Sequence, residues 1–363
     1  MGIATANAGG APAPENLFAQ EVRFGVVMYG GVSLAIYING VTNELYEMAL
    51  ATPKAGDQRD SGKTRDVYRK ASFLLRDTGL RNRYLAYLEN PNTEDPFGEA
   101  APPNADQRTR FVVDTIAGTS AGGINGLFLA KALVNGQEFA PLKQLWITEG
   151  DIDTLLNDQT SYDGLTFAET GSPPQSLLNS DRMYVKLLGA LRNMKPVQPE
   201  LISPAGNGAS PLVDEIDLYV TTTDIRGTVV PLRLFDKVVY EKRYKQVYHF
   251  QYAPAGHTPH NDLSDDKSPF LAFAARCTSS FPFAFEPMSV ADAERLCNAR
   301  PTETAVNVDD WKPFFTGLSA ADTTTGNWRK RAFGDGGYLD NKPFSYVVEA
   351  LSWRLGGCRW SAS

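Results

Sequence analysis

Cysteine is scarce in this sequence of 363 residues, which has only three: Cys277, Cys297 and Cys358. Their odd number and the absence of a CxxC spacing argue against a disulfide framework, and they favour a reduced, cytoplasmic protein. Long apolar runs are missing too. Without a stretch of about 18 apolar residues, no transmembrane helix is expected. The N-terminus lacks the basic start and apolar stretch of a signal peptide, and residues 1–20 are interpreted as a flexible tail.

An excess of positive charge is also missing. Acidic residues number 42 against 35 basic ones, a net charge of −7, so the average surface repels nucleic acid and no nucleic-acid partner is expected. Any contact with a membrane then needs apolar side chains or local basic patches. Arg276 is one candidate for headgroup contact, a structural role being the alternative. One stretch is locally basic, and we interpret it as a solvated face or as a patch facing phospholipid headgroups. Its basic residues are Arg65, Arg69, Lys70, Arg76, Arg81 and Arg83.

Apolar strand patterns alternate with helical ones along the chain. Buried strands are predicted at 22–29 and 111–117, each followed by a glycine-containing turn and a helix. Further predicted elements are strands at 215–224, 229–235 and 246–252, a helix near 268–276 and a last helix at 343–351. The alternation predicts an α/β fold, a three-layer sandwich with a mostly parallel central sheet. We expect one domain over residues 21–355, an insertion within it at 51–108, and a C-terminal tail at 356–363.

The pentapeptide Gly118-Thr119-Ser120-Ala121-Gly122 has the G-x-S-x-G form and lies between a predicted strand and a predicted helix. A serine on so sharp a turn needs glycine two residues before and after it, because larger side chains would collide. The N-terminal amides of the following helix favour negative charge at the serine. Ser120 is therefore the predicted nucleophile, a purely structural turn being the alternative.

A base for Ser120 is hard to find among the histidines. A histidine-dependent α/β-hydrolase normally has its catalytic histidine late in the chain. This sequence has three histidines, His249, His257 and His260, and none lies beyond residue 260. They have H-x7-H-x2-H spacing, which fits no common zinc pattern, so we interpret them as surface or strand residues. Asp335, in Phe-Gly-Asp-Gly-Gly, is the other candidate, since partial burial raises the pKa of a carboxyl towards working pH. D-G-G is also a common turn sequence.

Three motifs in order resemble those of the patatin-like phospholipases: a glycine-rich loop at Gly30-Gly31, GTSAG, and Asp335-Gly336-Gly337. Two further blocks, VTTTDIRG (220–227) and ARCTSSFPFAFEP (275–287), also resemble the family, as does DGGYLDNKPF with Asn341 and Pro343. The phrase VVMYGGVSLAIYINGV is similar to the bacterial patatin-related proteins. The resemblance spans roughly residues 22–353.

The resemblance implies hydrolysis of lipid or phospholipid esters by a Ser120–Asp335 dyad through an acyl-enzyme, without metal or cofactor, in a cytoplasmic protein that contacts membranes peripherally. The oxyanion would be held by backbone N–H groups of Gly30, Gly31, Val32 and Ala121. The family loop is typically G-G-G-x-R-G, and here its third glycine and its arginine are replaced. The alternatives are acyl transfer on the same dyad, a non-catalytic lipid-binding or regulatory module, and a histidine-dependent hydrolase. The oligomeric state is left open.

Overall fold

The structure, a computed structural model, describes residues 20–31, 34–52, 67–68, 70–71, 74–75, 77–97, 109–150, 155–165, 176–197, 209–210, 212–254, 259–299 and 306–355. Outside these ranges lie nearly all of the two predicted tails and three members of the basic stretch: Arg65, Arg69 and Arg76. The chain divides into two compact units, one of residues 1–22 and 48–112 and one of residues 23–47 and 113–363.

Seven strands form one mixed sheet in the described part of the chain. Five follow one another in space: β1 (Gln20–Met28), β2 (Thr109–Gly118), β3 (Ile216–Arg233), β4 (Val238–Ala253) and β5 (His260–Asn261). Two short strands continue from β3: β7 (Ala332–Asp335) pairs with it, and β6 (Met288–Ser289) pairs with β7. β2 and β3 are parallel, whereas the pairs β3–β4, β4–β5, β3–β7 and β6–β7 are antiparallel.

The described helices are α1 (Ala35–Ala51), α2 (Thr78–Glu89), α3 (Ala121–Asn135), α4 (Ala140–Glu149), α5 (Ser180–Arg192), α6 (Ser268–Thr278), α7 (Val290–Asn298), α8 (Ala320–Thr325) and α9 (Phe344–Leu355). None of them is long and apolar enough to cross a membrane. In the unit of residues 1–22 and 48–112, Asp77 caps the N-terminus of α2, and its side chain accepts the N–H of Leu80.

Helices cover both faces of the sheet. Successive side chains of a strand point to opposite faces, so two neighbouring residues of β3 show which helix lies on each face. On β3, Leu218 faces α3, and a Cβ built on Gly126 of that helix would lie 3.7 Å from its Cδ1 atom. The next residue, Tyr219, stacks on Tyr346 of α9 with ring centroids 5.2 Å apart. The α/β fold with a central sheet between helical layers is thus confirmed, and the predicted parallel pairing lies at β2 and β3.

Every residue of α6 is buried. A cluster of aromatic side chains fills the space between this helix and the sheet. Phe270 and Phe273 of this helix contact Tyr248 of β4 at centroid distances of 5.4 and 6.1 Å. Burying aromatic rings of this size contributes about 1.5–3 kcal/mol each. The cluster therefore fixes α6, whose last residue, Thr278, reaches the nucleophile turn.

Two predicted strands prove to be one. The sequence suggests separate strands at 215–224 and 229–235, whereas β3 runs without interruption from Ile216 to Arg233. The pairing register with β4 shifts between Thr223 and Thr228, so residues around Gly227 form a β-bulge rather than a break. β4 also begins earlier than the predicted 246, at Val238, and its first eight residues are exposed or half-buried on a part of the sheet that covers no core.

Candidate active site

The nucleophile turn follows the end of β2 directly. The N–H of Thr119 donates to the carbonyl oxygen of Met28 at 3.0 Å, so the turn is tied to β1. Ser120 has φ 54° and ψ −128° and precedes α3, which begins at Ala121. A serine at positive φ is strained by about 1–3 kcal/mol. The strain turns a half-buried side chain to the carboxyl edge of the sheet, as in a nucleophile elbow.

The glycines of this turn are sterically required. A Cβ on Gly118 would lie 2.5 Å from the carbonyl oxygen of Gly122. A Cβ on Gly122 would lie 2.3 Å from the carbonyl oxygen of Met28 in β1. Both distances are shorter than any ordinary van der Waals contact, and both involve backbone atoms, which move least. The collision inferred from the sequence across the turn is therefore present, and a second close approach, to β1, adds to it.

Thr278 anchors the backbone of Ser120. The N–H of Ser120 donates to Thr278 Oγ1 at 2.8 Å, and this hydroxyl donates in turn to the carbonyl oxygen of Thr221 at 2.7 Å. Thr278 is fully buried at the end of α6. Because a threonine hydroxyl has one proton, the two bonds together specify its orientation. The strained turn is thereby held by a side chain from a distant part of the chain.

Asp335 ends β7, the short strand that pairs with β3. It lies opposite Thr222 in the ladder, and its N–H donates to the carbonyl oxygen of Ser280 at 3.1 Å. Its own carbonyl oxygen accepts the Thr223 hydroxyl at 2.8 Å. The backbone of Asp335 is thus held on both sides.

The glycines after Asp335 have separate roles. A Cβ on Gly336 would lie 2.3 Å from the carbonyl oxygen of Thr221, so this position admits only glycine. The N–H of Gly337 donates to Asp335 Oδ1 at 2.7 Å. A backbone N–H directed at one carboxylate oxygen orients the group and stabilises its charged form.

Burial raises the pKa of the Asp335 carboxyl above its usual value. The Gly337 N–H, the Ser120 hydroxyl and the charge of Arg276 oppose this increase. The residue is only 2% exposed, and its second oxygen, Oδ2, has no hydrogen-bond partner among the described residues. An unpartnered buried carboxylate oxygen costs free energy, and it is also free to accept a proton. A carboxylate with a raised pKa and a vacant acceptor atom suits the role of a general base.

Threonine hydroxyls join the turn that carries Ser120 to the segment after Asp335. Thr119 Oγ1 donates to the carbonyl oxygen of Asp340 at 2.8 Å. The hydroxyls of Thr119 and Thr221 lie 2.5 Å apart. These contacts connect the end of β2 and Thr221 of β3 to the turn beyond β7.

The glycine loop after β1 closes against the nucleophile. A Cβ on Gly30 would lie 2.5 Å from Ser120 Cβ and 3.0 Å from its Oγ. The N–H of Gly30 donates to Asn341 Oδ1 at 3.3 Å, so this amide is occupied. The N–H groups of Gly31 and Ala121 have no acceptor among the described residues. Val32, the fourth predicted oxyanion donor, lies outside the described residues.

A pair of buried asparagines connects the helix after the glycine loop to the helix after the nucleophile. Asn39 of α1 donates through Nδ2 to Asn125 Oδ1 at 3.3 Å. Asn125 donates to the carbonyl oxygens of Ala121 and Ala35, at 2.9 and 3.4 Å. The pair therefore links the first turns of both helices, which carry the two halves of the candidate oxyanion site.

The histidines form their contacts elsewhere. His249 Nε2 contacts Asp217 Oδ1 at 2.8 Å and its ring stacks on Tyr219, while His260 pairs with Asp262. His257 lies outside the described residues. Neither described histidine contacts Ser120. Among the described residues, no group of three or more His, Cys, Asp or Glu is placed to hold a metal ion.

Arg276 is not available to a headgroup, because it is fully buried. Its guanidinium donates to Ser280 Oγ at 2.9 Å and lies 4.3 Å from the ring centroid of Phe285. Burial lowers the pKa of Arg276 to about 10. Arg276 therefore has a structural role, which was the alternative to headgroup contact. Its charge lowers the pKa of Asp335 from within the protein.

Sequence reasoning missed several residues that support the site, above all Thr278 and the Asn39–Asn125 pair. Thr278 lies inside the block 275–287 that resembles the family, yet threonine before two serines indicates no particular contact. Asn39 and Asn125 fall on otherwise apolar helical faces, and polar residues at such positions predict a buried hydrogen-bonded pair. That signal was available in the sequence.

Comparison with known proteins adds two findings. The family model described as patatin-like phospholipase matches residues 97–348, more than half of the chain. An uncharacterized membrane protein of Mycobacterium tuberculosis is 28% identical over 350 residues, which cover 94% of this chain and 26% of that protein. The chain thus spans about a quarter of the length of this relative. No solved structure matches the chain.

Proposed function

The chain belongs to the patatin-like phospholipase family, a membership that supports lipid acyl hydrolase activity, and we propose that it cleaves carboxylic esters of lipids with Ser120 as nucleophile and Asp335 as base. The single observation that carries this proposal is the buried carboxylate of Asp335, whose Oδ2 atom has no hydrogen-bond partner among the described residues and whose pKa, raised by burial, is lowered in part by the hydroxyl of Ser120, the serine at positive φ. A carboxylate with a vacant acceptor atom and a raised pKa can take the proton of a serine hydroxyl and so activate it as a nucleophile.

Acylation begins as Ser120 Oγ attacks the ester carbonyl carbon and its proton passes to Asp335 Oδ2. A C–O bond forms, and the carbonyl oxygen becomes an oxyanion. The N–H groups of Gly31 and Ala121 hold it, and the positive end of the α3 dipole adds to this stabilisation. The tetrahedral intermediate then collapses, the bond to the leaving alcohol breaks, and Asp335 returns the proton to that alcohol.

Deacylation repeats these steps with water. A water molecule gives its proton to Asp335 and attacks the acyl-enzyme carbonyl, and the same amides hold the second oxyanion. The Ser120 oxygen leaves and recovers its proton from Asp335. One carboxylate thus acts as base and then acid in each half-reaction, which requires no second titratable group.

The test is hydrolysis of a soluble short-chain p-nitrophenyl ester and of a phospholipid by the wild type, Ser120→Ala, Asp335→Asn and His249→Asn. We expect no turnover by Ser120→Ala and a loss of about 10²–10⁴ in kcat for Asp335→Asn. His249→Asn is the control and keeps its activity. Retained turnover in Ser120→Ala would contradict the assignment, and an inert wild type would favour a non-catalytic lipid-binding role.

Acyl transfer uses the same residues and differs only in the acceptor. In the same assay, an added acceptor alcohol competes with water for the acyl-enzyme. Formation of the new ester at the expense of the free acid would identify a transferase, whereas unchanged release of free acid identifies a hydrolase.

A further inference from the structure

The hairpin of β3 and β4 continues beyond the rest of the sheet. From Ile225 to Lys245 no residue is buried, although both strands remain paired from Thr228 with Arg243 to Arg233 with Val238. The five steps from Thr228 to Arg233 alone extend about 17 Å. This segment is a two-stranded ribbon that covers no core.

The ribbon leaves the sheet at the edge where the candidate active site lies. β3 pairs with the last residue of β2, Gly118, through Val220, and with Asp335 through Thr222. Beyond Thr222 the strand continues in the same direction into the bulge and the ribbon. The ribbon therefore begins only a few residues beyond the contacts that position Ser120 and Asp335.

The base of the ribbon is fixed by a buried ion pair. Arg331 Nε donates to Asp224 Oδ2 at 2.9 Å, and Arg331 Nη2 donates to Thr228 Oγ1 at 2.8 Å. Asp224 Oδ1 accepts the N–H groups of Arg226 and Gly227 at 3.0 and 3.1 Å. These bonds hold the bulge in one geometry, so the ribbon has a defined direction relative to β7.

The two faces of the ribbon differ in charge. Residues paired across antiparallel strands lie on the same face, and three pairs, Val229 with Lys242, Pro231 with Tyr240 and Arg233 with Val238, define one of them. We call this the ribbon face. It carries two cations and no carboxylate, whereas the opposite face carries Glu241 and Arg243, whose side chains pair at 3.2 Å.

The ribbon face is also apolar and exposed. Tyr240 is 73% exposed and Val229 58%, while Phe235 in the turn is fully exposed. The turn, closed by the N–H of Leu234 donating to the carbonyl oxygen of Lys237 at 2.8 Å, holds Phe235 at the tip. Exposed aromatic and aliphatic side chains mixed with arginine and lysine suit the interface of a bilayer, where rings enter the acyl boundary and cations meet headgroups.

We propose that the ribbon face and the Phe235 tip dock the protein on an anionic phospholipid surface and so bring the Ser120 edge to its substrate. The charge of the ribbon face favours an anionic surface. The chain as a whole has a net charge of −7 and repels anionic lipid on average, whereas this face carries two cations and no carboxylate. The link to catalysis rests on the proposed lipid hydrolase activity, whereas the docking itself does not.

The experiment measures binding of the Ser120→Ala protein to sedimented vesicles, either of phosphatidylcholine alone or of phosphatidylcholine with phosphatidylglycerol. We expect tighter binding to the anionic vesicles. Lys242→Glu should weaken that binding at least about fivefold, the effect of one cation near an anionic surface. Phe235→Ala should weaken binding to both kinds of vesicle, by about tenfold for a lost aromatic insertion.

Arg243→Glu is the matched control, since it makes the same change of charge one residue away on the opposite face. Equal losses for Lys242→Glu and Arg243→Glu, or unchanged binding of Phe235→Ala, would overturn the proposal. So would a concentration-dependent dimer in light scattering that Tyr240→Ala abolishes, because the face would then bind a second copy. Hydrolysis of the soluble ester by the wild type separates the two proposals: if it persists while the Ser120→Ala protein binds neither kind of vesicle, only the docking is wrong.

Discussion

Replacement of Thr278 by valine tests whether the nucleophile depends on its distant anchor. Valine has nearly the same shape, so no cavity is created, but the acceptor for the Ser120 N–H and the donor to the Thr221 carbonyl oxygen both vanish. Those bonds measure 2.8 and 2.7 Å in a fully buried environment. A buried N–H left without a partner costs about 1–3 kcal/mol. With the smaller loss at the carbonyl oxygen, we expect destabilisation of about 2–4 kcal/mol.

Activity should fall as well, because the same bond holds Ser120 at φ 54°. When the anchor is lost, the turn can relax the strain of about 1–3 kcal/mol stored there, and the hydroxyl moves away from Asp335. We expect kcat on a soluble p-nitrophenyl ester to fall by tenfold or more. The melting temperature should fall by roughly 5 °C.

The control for this prediction is Thr278→Ser, which keeps the hydroxyl and loses only a methyl group. That methyl contacts α3 where a Cβ on Gly123 would lie 2.8 Å from it, so a small loss of stability of about 1 kcal/mol is expected. Thr278→Ser should therefore retain most of its activity. If the valine and serine variants agreed in both kcat and melting temperature, the hydrogen bond to Ser120 would have no role in the site.

Three further results are expected from the dyad and its turn. Because burial raises the pKa of Asp335, kcat/KM should fall as pH drops through that raised value, with an acid limb above pH about 4; a limb at or below the ordinary value would contradict this. The pKa of this carboxyl is higher in the folded protein than in the unfolded chain. The carboxyl therefore stabilises the fold fully below its unfolded pKa, and this contribution is lost as the pH rises through its folded pKa. Asp335→Asn should thus melt higher than wild type at neutral pH, and the difference should shrink in acid. Gly122→Ala should abolish folding or activity, since its Cβ would meet Met28, whereas Gly40→Ala, with open space around its Cβ, should be neutral or stabilising.

The local features of the site could be predicted from the sequence because they depend on neighbours along the chain. The order of strand, glycine turn and helix around Ser120 is a local pattern, and the steric demand at Gly118 and Gly122 follows from it. The glycine turn after Asp335 made this residue a candidate base, and the family resemblance paired it with Ser120, more than 200 residues away in a chain of 363. Neither kind of reasoning predicts that Thr278 accepts the Ser120 N–H, because a lone threonine has no sequence signal for a partner far along the chain.

The β4 half of the ribbon escaped prediction for a different reason, whereas the β3 half lies largely within the strand predicted at 229–235. Strand patterns are recognised by alternation between a buried and an exposed face, and a ribbon that covers no core has no such alternation. The residues from Val238 to Lys245 are exposed or half-buried throughout, so their strand is apparent only from its pairing with β3. Because neither face of the ribbon is buried, the strand has no recognisable pattern in the sequence. For the same reason its apolar side chains remain available to another surface.

The altered glycine loop becomes intelligible once Gly30 and Gly31 are assigned different tasks. Gly30 is needed for space, because any Cβ would collide with Ser120, and its amide already donates to Asn341. In the proposed mechanism the oxyanion then depends on Gly31 and on Ala121, whose N–H at the first position of α3 has no intrahelical acceptor. Two such donors suffice in an oxyanion hole, so replacing the third glycine of the family pattern removes no donor that this arrangement requires. The anchoring that the missing arginine would give must come from elsewhere, and the buried Asn39–Asn125 bond between α1 and α3 is placed to supply it.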